Sequence, residues 1–288
     1  MNSLTIILAS TFASTPIVCD ENTADNTNSN VLLNQYYEPK NNLDYLQGVE
    51  EIRKAIKVTD GDIVVSVNWF YMENTTETKD PTVIKKMLSA ITLNFKNNKL
   101  PIVFELKNST QINESYVLDD DNCTVITELY SKYAERSRKV LNIISGDTRE
   151  NHSPTGNGFT KFLTKESNHV DGVFYTNVKP DSYGPKILTH EFGHWLGLLH
   201  PFWNGCSGEN NDFIKDTPRS NDTFRLSTYT PNSFSWECNA TMQTCPGQNQ
   251  TDLVNNFMDY TLCGDSFTDA QKYRMMSFLY FRFFGETY

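Results

Sequence analysis

The sequence predicts a mixed α/β fold, with helices packed on a β-sheet, followed by a loop-rich C-terminal part. Three observations support this prediction. Runs of β-branched and aromatic residues typical of buried strands occur at 62–70, 101–107, 140–145 and 170–178. Apolar residues recur at helical spacing over 81–97, and a second helix is predicted at about 185–198. The chain after this helix is rich in Pro, Gly, Asn and Ser.

The first 19 residues have the character of a signal peptide. Residues 4–12 are largely apolar and are followed by the small residues Ala13 and Ser14, although no Lys or Arg precedes them. The following segment, 20–42, is polar, and we expect a tail or the remnant of a pro-segment. Six Cys and eight Asn-x-Ser/Thr triplets agree with a secreted, extracellular, disulfide-bonded glycoprotein.

The elements are predicted in a definite order. A short amphipathic helix at 43–57 precedes the strand at 62–70, and Pro81 begins the helix over 81–97. The strands at 101–107, 140–145 and 170–178 then follow without a predicted helix between them. From the strand at 62–70 onward the order is therefore strand, helix, strand, strand, strand, helix.

The predicted helix at 185–198 contains most of the motif HEFGHWLGLLH, residues 190–200. At helical pitch His190 and His194 share one face, so that both imidazoles can bind one ion. Gly197 can adopt a positive φ, which would end the helix and bring His200 round as a third ligand. Three neutral imidazoles and an open fourth position are typical of catalytic zinc, with Glu191 next to the first ligand. The alternative is an amphipathic core helix with incidental His.

Four segments resemble the pappalysin family of metzincin zinc endopeptidases, which includes ulilysin-like and fungal-type secreted metalloproteases. The segments are KILTHEFGHWLGLLHPF at 186–202, Asp-Thr-Pro at 216–218, NNFMDY at 255–260 and FTDAQKYRM at 267–275. The resemblance covers roughly residues 43–280 and implies an α/β (α+β) metzincin domain over 43–288. Its upper lobe, 43–198, would contain the mixed sheet, a backing helix and the active-site helix. Its lower lobe, 199–288, would be loop-rich, stabilised by disulfides, and would end in a helix.

The resemblance also implies residue roles. Met258 would form an apolar base under the three His without binding the ion, although an ordinary core Met is the alternative. The hydroxyl of Tyr260 would help hold the oxyanion of the reaction, the alternative being a packing Tyr. Glu191 would act as the general base toward a zinc-activated water.

These roles imply a secreted zinc endopeptidase that acts on proteins or peptides. The alternative class is a secreted binding protein that keeps the fold without catalytic turnover. A net charge of −10 argues against a nucleic-acid partner, no other run is long and apolar enough for a membrane span, and we expect a monomer.

The cysteines allow several arrangements. Cys206, Cys238, Cys245 and Cys263 permit three pairings, and no C-x₂-C pair indicates a second zinc site. The resemblance favours Cys206–Cys245 and Cys238–Cys263. Cys19 and Cys123 could form a further disulfide, or Cys19 could bind zinc as a latency thiolate. In the family the switch Cys is usually followed by Gly, whereas Asp20 follows here, so both alternatives stay open.

Two further features concern calcium and specificity. Some relatives bind calcium near the Asp-Thr-Pro segment, and Asp212, Asp216 and Asp222 are suitable oxygen ligands without EF-hand spacing. Solvated loop acids are the equal alternative. Leu262 stands near the position where some relatives have an acid that selects a basic side chain after the scissile bond. That preference is therefore not transferred to this chain.

Overall fold

The computed structural model describes residues 45–56, 61–73, 75, 78–115, 123–146, 158–161, 171–176, 184–203, 205–206, 212–221, 241–261 and 263–285. The predicted signal peptide at 1–19 and tail at 20–42 lie outside these residues, as do Cys19, Asp222, Cys238 and Leu262. The helices are α1 Tyr45–Ala55, α2 Pro81–Asn97, α3 Cys123–Tyr133, α4 Gly184–Trp195 and α5 Asp269–Phe284. The strands are β1 Ile63–Met72, β2 Ile102–Ile112, β3 Val140–Gly146, β4 Gly158–Lys161 and β5 Gly172–Thr176.

The strands form one mixed sheet in the order β2-β1-β3-β5-β4. The neighbouring strands β2, β1, β3 and β5 are parallel to one another, and β4 runs antiparallel to β5 at one edge. β1 lies between β2 and β3 and is buried along most of its length, which explains its near-continuous apolar sequence. The predicted α/β class with a mixed sheet is confirmed.

The two faces of the sheet contact different hydrophobic clusters. Val65, Val67 and Trp69 of β1 belong to the main core, which also contains apolar residues of α2, α4 and α5. Phe70 and Met72 belong to a second cluster with residues of α3. Successive side chains of a strand point to opposite faces, and the end of β1 therefore contributes to both clusters.

Local capping accounts for the bounds of α2. The Asp80 side chain accepts a hydrogen bond of 2.8 Å from the backbone N–H of Thr82, and Pro81 is the first helical residue. The helix buries Ile84, Met87, Leu88, Ile91 and Phe95. The predicted span, 81–97, is the observed one.

Other predicted bounds were less accurate. The expected order contained neither α3 nor β4, and β2 runs to Ile112 rather than ending near residue 107. The helix predicted at 185–198 is α4, which ends at Trp195. α5 extends to Phe284 from a capping box in which the Thr268 side chain pairs with Gln271.

The C-terminal part of the chain packs on the same core as the sheet. Met275, Met276 and Leu279 of α5 belong to the main core, and the rings of Tyr45 and Tyr273 lie 6.0 Å apart between α1 and α5. A disulfide joins Cys206 to Cys245 across 39 residues, which is the pairing that the resemblance implies.

The remaining cysteines are only partly described. Cys263 is also disulfide-bonded, and its expected partner, Cys238, lies outside the described residues. Cys123 is the first residue of α3. None of the helices in the described ranges is long and apolar enough to cross a membrane.

Candidate metal centre

Three buried histidines converge on one point. The Nε2 atoms of His190 and His200 are 3.1 Å apart, and that of His194 is 3.0 Å from each. Within the described ranges, these three residues are the one group of three or more His, Cys, Asp or Glu side chains arranged to hold a metal ion. The structure thus brings together the three residues that the motif singled out.

The end of α4 determines how the third histidine arrives. His190 and His194 lie one turn apart on α4, which ends at Trp195. The backbone N–H of Gly197 then donates to the carbonyl of His194 at 2.8 Å, and that of Leu198 donates to the carbonyl of Gly193 at 3.0 Å. Gly197 has a φ of 88°, a conformation natural to glycine. This turn reverses the chain and places His200 beside the helix.

Two backbone carbonyls determine the tautomers of His190 and His194. Nδ1 of His190 lies 2.6 Å from the carbonyl oxygen of Phe257, and Nδ1 of His194 lies 2.8 Å from that of Leu198. A carbonyl oxygen only accepts hydrogen bonds, so each Nδ1 donates its proton and each Nε2 presents a lone pair.

Burial keeps the three rings neutral. It lowers the pKa of His190 to about 4, and it lowers the pKa values of His194 and His200 well below the usual 6.5. The short contact between His190 and His194 is therefore lone pair against lone pair, an arrangement that a bound cation stabilises.

The spacing of the nitrogens fits zinc. In a triangle with sides of about 3.0 Å the centre lies roughly 1.7 Å from each corner, so a point about 1 Å outside the plane is about 2.0–2.1 Å from all three nitrogens, the usual Zn–N distance. Three neutral imidazoles are a donor set that zinc prefers, and a fourth coordination position would stay open.

Glu191 is fully buried on α4 beside the first histidine. Its Oε2 lies 2.7 Å from Oγ1 of Thr160, which is itself fully buried on β4. Sequence reasoning missed Thr160, since it lies in a short strand that no hydrophobic pattern indicates and 31 residues from its partner.

The segment around Met258 lies against α4. Met258 is fully buried, and a Cβ on Gly193 would lie only 2.5 Å from its Sδ, so only glycine allows this approach. The Asn256 side chain accepts from the backbone N–H of Met258 at 2.9 Å and is held by Gln271 of α5. Phe257 of the same turn supplies the carbonyl that orients His190.

Aromatic rings surround the third histidine. The ring of Phe202 stacks on His200 with centroids 4.6 Å apart and planes 10° apart, and the ring of Tyr260 meets His200 edge-on at 4.6 Å. Within the described part of the chain, His200 has no hydrogen bond to a carbonyl like those of His190 and His194. Ring packing therefore orients His200.

A buried arginine holds the C-terminal end of α4, and sequence reasoning missed it. Arg282 of α5 donates to the carbonyl of Trp195 at 2.7 Å and to the Asp171 carboxylate at 2.5 Å. Its guanidinium also lies over the Trp195 ring at 3.7 Å. A cation at this end of a helix stabilises the helix dipole.

The described residues give no support to calcium at Asp212 or Asp216. Asp212 is buried and accepts from the Thr217 hydroxyl at 2.7 Å and from the Ile214 N–H at 3.0 Å, and burial raises its pKa to about 7. The Asp216 carboxylate accepts from the Ala270 N–H at the start of α5 at 2.9 Å. Both carboxylates thus bind protein donors.

Comparisons with known proteins agree with the metal centre. The model of a peptidase family described as "Pregnancy-associated plasma protein-A" matches residues 156–280. An extracellular metalloprotease of Neurospora crassa is 28% identical over 239 residues, 78% of each chain. Extracellular metalloprotease 1 of Coccidioides posadasii is 32% identical over 186 residues, 60% of each chain.

A shorter match has a higher identity. An extracellular metalloprotease of Verticillium alfalfae is 41% identical over 95 residues, which are 32% of this chain and 29% of that protein. The segment matched by the family model contains β4, α4, all three histidines and the turn with Met258. Over residues 156–280 the chain is therefore similar to the pappalysin family of metalloproteases, and its named relatives are fungal extracellular metalloproteases.

Proposed function

We propose that the protein is a secreted zinc endopeptidase in which His190, His194 and His200 hold the metal and Glu191 is the general base. The observation that supports this most directly is the convergence of three Nε2 atoms within 3.1 Å, two of them with the tautomer a metal ligand needs.

The chemistry follows from the positions of the side chains. Zinc bound there would polarise the scissile carbonyl and lower the pKa of a water molecule. Glu191 would take a proton from the attacking water and then deliver it to the leaving amine. Tyr260, whose ring contacts that of His200, would donate a hydrogen bond from its hydroxyl to the developing oxyanion. Met258 would serve as the apolar floor of the site.

The setting of the activity is also part of the proposal. The relatives are named extracellular metalloproteases, which supports secretion through the expected signal peptide at 1–19. Proteins or peptides are the proposed substrates, and a monomer with a second disulfide, Cys238–Cys263, is the proposed form. Whether Cys19 pairs with Cys123 or blocks the metal is decided by mass spectrometry of the secreted protein.

The test combines metal content with cleavage. Zinc per chain is measured on the purified protein, and casein and a peptide library are digested with wild type, Glu191→Gln and Glu191→Ala. We expect one zinc in each and turnover reduced by about 10²–10⁴-fold or more in both variants. Glu105→Gln makes the same change on an exposed residue of β2 and should leave turnover unaltered.

Two outcomes would contradict the proposal. Full turnover in Glu191→Gln would exclude Glu191 as the general base. Zinc-loaded wild type that cleaves nothing, even after removal of residues 1–42, would favour a binding protein of the same fold. Activity lost with a chelator should return with added zinc.

A further inference from the structure

We infer that Thr160 is a positioning residue whose hydroxyl holds the carboxylate of Glu191 in the orientation needed for proton transfer. This inference rests on the proposed function, because the task of Glu191 belongs to that function. The contact itself is a hydrogen bond of 2.7 Å between two side chains that are both fully buried.

The fold explains how this hydroxyl reaches Glu191. Thr160 lies on β4, the edge strand, where it pairs with Val173 of β5. β4 packs against α4, and the Thr160 side chain is directed to the first half of the metal-binding motif. The β-branched side chain has few χ1 rotamers, so that the strand and its register fix where the hydroxyl lies.

The hydroxyl has one proton and two acceptors on the same residue. Oγ1 of Thr160 lies 2.7 Å from Oε2 of Glu191 and 2.9 Å from the backbone carbonyl oxygen of Glu191. Whichever of these two oxygens accepts the hydroxyl proton, the hydrogen bond connects β4 to Glu191. The bond to an ionised carboxylate is the stronger one, since a charged acceptor roughly doubles the strength of a hydrogen bond.

This contact gives the two carboxylate oxygens of Glu191 different roles. Oε2 accepts from Thr160 and so keeps the carboxylate from rotating, which assigns the proton exchanged with water and leaving amine to Oε1. A buried carboxylate also loses hydration, and the hydroxyl replaces part of it. Loss of the hydroxyl would leave the general base less well oriented, with the metal ligands unchanged.

The first test changes the hydroxyl while keeping the shape of the side chain. Thr160→Val removes the hydroxyl from an isosteric side chain, and Thr160→Ser keeps it. For the Val variant we expect kcat to fall by about 10- to 100-fold, the range for a hydrogen bond to a charged group. KM and one zinc per chain should be retained, and the Ser variant should stay within about 3-fold of wild type. Thr82→Val makes the same change at an exposed position and should alter nothing.

The second test does not depend on activity. Urea unfolding of the metal-free protein is measured for wild type, Thr160→Val, Glu191→Gln and the double variant. We expect Thr160→Val to lower the urea midpoint more in the presence of Glu191 than in the Gln background, where the acceptor is uncharged. If the wild type proves inactive, the proposed function fails, but this cycle still tests the contact.

Three results would overturn the inference. The first is a kcat of Thr160→Val equal to that of the wild type. The second is an equal loss of kcat in Thr160→Val and Thr160→Ser. The third is a Thr160→Val shift of the urea midpoint that is the same with Glu191 as in the Glu191→Gln background. Equal losses in Val and Ser would show that Thr160 acts by packing alone.

Discussion

Gly197 offers a sharp test of how the chain reaches the third histidine. Its φ is 88°, and a Cβ built on it would lie 2.6 to 2.8 Å from ring atoms of Phe278 on α5. Substitution by Ala therefore forces two changes, an unfavourable backbone conformation and a collision with a buried ring. We expect Gly197→Ala to destabilise the protein strongly.

The magnitude can be divided into its two causes. A left-handed conformation costs a residue with a Cβ about 1–2 kcal/mol. Overpacking against a buried ring adds about 1–3 kcal/mol, because Phe278 is only 1% exposed and has little room to move. The total loss in the free energy of unfolding should be roughly 2–5 kcal/mol.

The chain contains a matched control. Gly247 has a φ of 83°, yet a Cβ there would meet no atom within 4 Å. Gly247→Ala therefore tests the backbone cost alone, about 1–2 kcal/mol. The gain from a less flexible unfolded chain is common to both variants and cancels in the comparison.

The assay is equilibrium unfolding in urea, with a chelator present so that metal binding does not add to the stability. Gly197→Ala should lose more stability than Gly247→Ala. In zinc titrations it should also bind the metal more weakly, since His200 follows the altered turn. Equal losses in the two variants would refute the role assigned to Phe278, and unaltered zinc affinity would refute the role of the turn.

Three further predictions concern the surroundings of the site. Gly193→Ala should displace Met258, cost about 1–3 kcal/mol in urea unfolding and weaken zinc binding; an unchanged midpoint would exclude the close contact. Phe202→Ala should weaken zinc binding by about 10- to 100-fold in a competition titration, whereas Phe202→Tyr should retain it, because the ring orients His200. Burial raises the pKa of Asp212 from 3.8 to about 7, so its contribution to stability is complete below about pH 4 and is lost as pH rises through 7. Asp212→Asn keeps the hydrogen-bond acceptor and should show a flatter dependence of the urea midpoint between pH 5 and 7.5 than wild type.

Features that depend on neighbouring residues were predictable from the sequence. The helix over 81–97 has its cap, its first-turn proline and its apolar face within one short segment, so its observed bounds agree with the prediction. The spacing of His190 and His194 places them together on any helix. The positive φ of Gly197 could be anticipated, because only such a turn lets His200 join them.

Features that depend on pairing across the sheet were not predictable in the same way. β4 has only four residues, too few for a recognisable strand pattern, and it is a strand because it pairs with β5. α3 was missed although Ile126, Leu129 and Tyr130 have helical spacing, since its apolar face is short and contacts a separate small cluster.

The sequence by itself determined the proposed ligand set and the helix that presents it, because metal ligands need a fixed spacing that a local helix and turn provide. Tertiary structure decided what orients those groups. Thr160 reaches Glu191 across 31 residues, Phe257 reaches His190 across 67, and Arg282 reaches Trp195 across 87. Each of these contacts joins polar groups inside the protein, where an unpaired donor or acceptor is costly. Only the packing of distant elements can supply such partners, and no pattern of neighbouring residues specifies them.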